Sequence, residues 1–199
     1  MKSLMCIKLC LRRVSGLSMR KAVLSVLFAP LFSTFLFGAE YYWGVSTDTP
    51  TNQSTKFETE LLLGTRKISA DAMLVTDEQI SLAGNKKVKY RTYIFDLKNK
   101  VVTVKADGQV TGGGIVRAAT IENGEVINLK YDYSVTKGHA YSYSGEDQLI
   151  YANPLPGQKV NREKGLVTYD GGASTFEVTY VPISKREYKK LKKDIESYR

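Results

Sequence analysis

The chain has 199 residues and carries 29 Lys and Arg against 20 Asp and Glu, a formal net charge of +9. Six of those basic residues (Lys2, Lys8, Arg12, Arg13, Arg20 and Lys21) precede the first acid, Glu40, leaving 23 basic against 20 acidic residues beyond it, too even a balance for a nucleic-acid surface. Cys6 and Cys10 are the two cysteines and lie in the same stretch, so disulfides, thiol catalysis and cysteine-ligated metal are excluded from everything after it.

Residues 1–39 read as a signal peptide. Arg20-Lys21 leads into an apolar run over 22–37, followed by Gly38-Ala39-Glu40. Positive charge holds the cytoplasmic side while the apolar segment enters the membrane. Met19-Arg20-Lys21 would itself make a complete signal start, which marks Met19 as an alternative initiation point. Ala39 suits the position before cleavage, but Phe37 is bulky where a small residue is wanted. The alternative is an uncleaved inner-membrane tether over 22–39, slightly short of the roughly 20 residues that span a bilayer. Either reading places the remaining domain outside the cytoplasm, in the periplasm or cell envelope.

Residues 40–55 are expected to form a flexible arm, since 46–55 is polar and holds Pro50. The stretch 57–65 alternates Phe57, Thr59, Leu61 and Leu63 as a strand does, although Leu61-Leu62-Leu63 also suits a helix. Short apolar pieces at 72–75 and 79–82 are read as two strands. Strands at 90–95 and 101–105 flank a hairpin loop, with Asp96 opening a type I turn and Asn99 closing it in the left-handed conformation. Gly112-Gly113-Gly114 lacks the Gly-Lys-Ser/Thr of a phosphate loop and reads as a turn or bulge.

Residues 125–133 place Ile127, Leu129, Tyr131 and Tyr133 on one face and Val126, Asn128, Lys130 and Asp132 on the other. The stretch 175–181 sets Phe176, Val178 and Tyr180 against Thr175, Glu177 and Thr179 in the same way. Turn signals at Gly84-Asn85, Asp107-Gly108, Asn123-Gly124, Lys137-Gly138, 154–157 and Asp170-Gly171 recur about every 8–15 residues, a rhythm of antiparallel sheets.

After Pro182 the pattern changes to a helix. Ser184 and Glu187 form a capping box, and Tyr188, Leu191, Ile195 and Tyr198 make an apolar stripe beside a lysine-rich face. The expected fold is all-β: an antiparallel β-sandwich or small barrel over 56–182, with a C-terminal amphipathic α-helix over 183–199. That helix either packs on the sheet or makes membrane-surface contact with anionic lipid.

Chemistry is sparsely marked. His139 is the single histidine, and Asp132 and Glu177 are carboxylates on strong strands; these three are the candidate catalytic residues. Glu146-Asp147 is read as a polar turn. With one histidine and no cysteine beyond the leader, no metal and no cofactor is expected. All 13 tyrosines lie after residue 40, and Tyr131, Tyr133, Tyr141 and Tyr143 fall in pairs on common strand faces. Such faces suit a flat or ring-shaped ligand, so these four are the candidate ligand-binding residues. The expected function is an exported, non-enzymatic β-domain that binds a small ligand or an envelope protein. An exported carboxylate-dependent hydrolase and a small outer-membrane β-barrel are the alternatives.

Overall fold

A computed structural model describes residues 39–51, 58–84, 87–151 and 158–198. The signal peptide expected over 1–39 lies, but for Ala39, outside the described residues, as do the turns expected at Asn85 and 154–157.

Ten antiparallel strands follow one another around a closed barrel: β1 (Glu40–Pro50), β2 (Glu58–Ile68), β3 (Leu74–Ala83), β4 (Val88–Asp96), β5 (Val101–Ala106), β6 (Gln109–Glu122), β7 (Glu125–Val135), β8 (Tyr141–Tyr151), β9 (Lys159–Tyr169) and β10 (Gly172–Ile183). The ring is completed by β1 pairing with β10, with Trp43 opposite Val181. Closure leaves no unpaired sheet edge and resolves sandwich against barrel. The arm expected over 40–55 is corrected accordingly, because residues 40–50 are β1, hydrogen-bonded on both sides.

Tight turns set the register. Asn123-Gly124 and Asp107-Gly108 both take positive φ, as two-residue hairpins require. In the β4–β5 loop the Asp96 side chain accepts from the Asn99 backbone N–H at 2.9 Å, but the left-handed residue is Lys100 rather than Asn99. The glycine run at 112–114 is not a turn: it lies within β6, and the register slips beside it, between Val104 and Lys105. A further slip where β6 meets β7 turns Val126 inward, so Val126 is 4% exposed, contrary to the face assigned from the sequence.

Period-two alternation divides the wall. One face of β4, β5, β7 and β8 builds an interior cluster that includes Phe95, Val102, Val104, Leu129 and four tyrosines. The opposite face of β6 to β8 carries ion pairs across neighbouring strands, with Arg117–Asp132 at 3.2 Å and Lys130–Glu146 at 3.1 Å.

On β1 to β4 the outer face is apolar instead. Leu63, Ile80, Trp43, Leu61, Leu82 and Val88 are covered by Ile195, Leu191 and Tyr188 of α1 (Lys185–Glu196). Leu61-Leu62-Leu63 is therefore apolar throughout because both sides of β2 are covered, Leu62 by the interior and its neighbours by the helix. The capping box is present, with Glu187 N–H donating to Ser184 Oγ at 3.3 Å and Ser184 N–H to Glu187 Oε2 at 2.9 Å. Tyr198 leaves the stripe and is 51% exposed beyond the end of the helix. Of the two readings of the helix, packing on the sheet is the one its stripe adopts.

Candidate functional site

The barrel interior is a mixture of aromatic rings and charge. Tyr133 stands opposite Tyr143 across β7 and β8, and their rings lie 5.2 Å apart. Tyr131 lies 6.2 Å from Tyr133, and Tyr93 on β4 lies 5.6 Å from Tyr133 across the interior. Tyr143 can reach inward because it lies over Gly145 and Gly165, which face each other across β8 and β9. A Cβ at either glycine would meet the Tyr143 side chain closer than real contacts allow.

The tyrosine hydroxyls converge on one carboxylate. Tyr131 and Tyr143 donate to Glu163 Oε1 at 2.6 and 2.8 Å, and Tyr180 donates to Oε2 at 2.8 Å. Gln79 Nε2 in turn donates to the Tyr180 hydroxyl at 3.2 Å. Burial raises the Glu163 pKa above its ordinary value; the nearby Asp147 adds to this and the tyrosine donors oppose it.

Beside Glu163 sits a buried ion triple. Arg66 Nε and Nη2 donate to Asp77 at 2.8 and 2.6 Å in a fork, and Asp147 Oδ2 lies 2.6 Å from the same Nη2. Nη2 carries two N–H groups, one of which serves the fork to Asp77, and Asp147 makes a close charge contact with the same nitrogen. Burial raises the Asp147 pKa despite the adjacent guanidinium.

Above this network is a cavity of about 200 Å³, whose wall includes Tyr93, Tyr133, Tyr141, Phe176, Lys89 and Arg91. A wider concavity of about 700 Å³ shares Asp48, Tyr141 and Val167 with it, and is bounded by Gly138 and His139 of the β7–β8 turn and by Asp170 of the β9–β10 turn. The two together form a chamber with a vestibule at one end of the barrel.

The four tyrosines anticipated from the sequence all line this chamber. The three candidate catalytic residues are not brought together. Asp132 is paired with Arg117 on the outer wall. Glu177, also on the outer wall, accepts from Arg162 Nε at 2.7 Å. His139 is exposed at the rim of the vestibule.

The interior charges are what sequence reasoning missed. Asp147 was assigned to a polar turn, yet it sits inside β8 and is 2% exposed. The available signal was the two-residue spacing of Tyr141, Tyr143, Gly145 and Asp147, which continues the tyrosine face directly. Among the described residues no group of three or more His, Cys, Asp or Glu side chains is arranged to hold a metal ion.

Comparison with protein-family models, curated proteins and solved structures finds no match to this chain.

Proposed function

We propose that this protein is an exported binding protein that holds a small ligand inside its barrel without transforming it. The observation that carries the reading is the tyrosine-lined chamber of about 200 Å³ opening through a vestibule at one end of a closed wall. Ligand sites are concave and carry placed polar groups beside their apolar walls, and here Lys89, Arg91, Glu60 and Glu163 stand among the aromatic rings. Its volume falls below the roughly 300–1,000 Å³ of drug-sized sites, which points to a compact ligand of about one ring. Aromatic walls grip such a body with little side-chain entropy to lose.

The outer wall supports binding within the barrel over residence in a membrane. Lys130, Glu146, Arg117 and Asp132 stand mid-strand on the outward face of β6 to β8, where a spanning barrel places apolar side chains. Export is supported by the basic-then-apolar leader over 1–39.

The test is a thermal-shift screen of compact aromatic and aliphatic compounds on the wild type and on a Val167→Trp variant. Val167 lines both chamber and vestibule, so the larger ring plugs the passage between them. Compounds that raise the melting temperature of the wild type should leave the plugged variant unmoved. Equal shifts in both would place the binding elsewhere and overturn the reading.

A further inference from the structure

Arg66, Lys89 and Arg91 are cations of the interior, and the first two are matched. Arg66 has Asp77 and Asp147, each at 2.6 Å, and Lys89 has Glu60 at 3.1 Å. Arg91 is different. It lies two residues along β4 from Lys89, opposite Gln79 of β3 and Ala106 of β5, and lines the chamber. Among the described residues no carboxylate lies within 4.0 Å of its guanidinium, and none of its N–H groups donates to a side chain. The groups that act on it most strongly are the phenols of Tyr93, Tyr141 and Tyr133, with Glu60 a weaker contributor already joined to Lys89.

A guanidinium has five N–H donors and cannot shed its proton, so half-buried in the chamber wall it offers a charged fork to whatever enters. The neighbouring tyrosines bring no counter-charge, since burial drives the Tyr133 pKa well up and keeps its hydroxyl neutral. What would supply one is a planar oxyanion delivered into the chamber, because carboxylate oxygens match the guanidinium fork. The charge must also be single. Asp48, Glu60, Asp77 and Glu163 line the same chamber, and a dianion would meet four carboxyl groups for one unpaired cation.

Resting on the binding reading given above, we infer that the ligand is a compact apolar monocarboxylate whose carboxylate pairs with Arg91 while its body packs against Tyr133, Tyr141, Val167 and Phe176. Arg91 then sets specificity within the chamber, and the aromatic wall supplies sequence-blind grip on the body.

The experiment compares 3-phenylpropanoate with the neutral 3-phenylpropan-1-ol by calorimetry on the full folded domain. The wild type should prefer the acid by about tenfold or more, the scale of a hydrogen-bonded charge pair. Arg91→Met should abolish that preference while still binding the alcohol, and Lys130→Met, on the outer wall, should keep it. If Arg91→Met fails to fold, Arg91→Gln takes its place. In the wild type itself, acid binding should approach alcohol binding as pH falls through the ligand's own pKa, and phenyl phosphate should bind less tightly than the carboxylate. Equal affinity for acid and alcohol in the wild type, or a preference that survives loss of Arg91, overturns the carboxylate inference and leaves the chamber reading standing. Failure of both compounds to bind in the chamber overturns both.

Discussion

Asp147 and Glu163 face each other directly across β8 and β9, two enclosed carboxylates in one register pair, and each is held by a different kind of donor. Asp147 has the Arg66 guanidinium, whereas Glu163 has three tyrosine hydroxyls. Burial raises the pKa of both, and of Glu40 as well. A carboxylate raised in the native state binds its proton more tightly folded than unfolded. Above the ordinary values of 3.8 for Asp and 4.5 for Glu, and up to the raised native values, the folded chain therefore holds more protons. Stability should fall as pH rises through that window.

The melting temperature is thus expected to increase as pH falls through the raised native values toward the ordinary 3.8 and 4.5, and Glu163→Gln should flatten the rise. The lowered carboxyls Asp71, Asp96 and Glu187 act oppositely, but their stabilisation is lost only as pH falls below 3.8 to 4.5. Melting curves across that range, with and without the substitution, measure the slope; a wild-type melting temperature that dropped steadily from pH 7 downward would contradict it.

Arg66→Met should destabilise the domain by about 3–5 kcal/mol, because Asp77 and Asp147 would remain buried without a counter-charge. Adding Asp77→Asn and Asp147→Asn should return part of that loss, since the triple substitution removes the stranded charges. Urea unfolding of the single and triple variants gives both numbers.

Gly165→Ala should cost about 1–3 kcal/mol, as the new methyl group drives Tyr143 out of its place above the strand. Shortening Tyr143 to Leu in the same chain should make the alanine far less harmful, so a double-mutant cycle should show coupling between the two sites. Additive losses would mean the ring does not depend on the glycine.

These two positions also show what the sequence could and could not reveal. The strands at 125–133 and 175–181 were legible because apolar and polar residues alternate where one face meets the core and the other meets water. β9 was not, since its inward residues are Asn161, Glu163, Gly165 and Val167, a face that looks polar until Arg66 and the tyrosines are set against it. β3 was read as two fragments for the same reason: Asp77 interrupts the apolar pattern but points inward to Arg66. β1 was mistaken for an arm because its interior positions include Gly44, Ser46 and Asp48. The tyrosine half of the candidate site was therefore readable from local spacing. Its charged half depends on pairings between distant strands, which no local period encodes.

Ile195→Ala should cost about 2–5 kcal/mol, since Ile195 is 3% exposed and seals α1 over Leu63 and Ile80. Weakening that contact uncovers an apolar strip on β1 to β4, so the variant should also self-associate more readily. Unfolding curves and sedimentation velocity would report the two effects separately.

The central claim is that the ligand sits inside the barrel, and the tyrosines themselves can report it. Selective ¹³C labelling of tyrosine, followed by titration with 3-phenylpropanoate, should move the ring signals of Tyr93, Tyr133 and Tyr141 in the chamber. Tyr41 and Tyr188, whose rings meet 5.0 Å apart where α1 packs on β1, should stay still. Shifts confined to Tyr41 and Tyr188, or no shift at the chamber tyrosines at saturating ligand, would contradict the account.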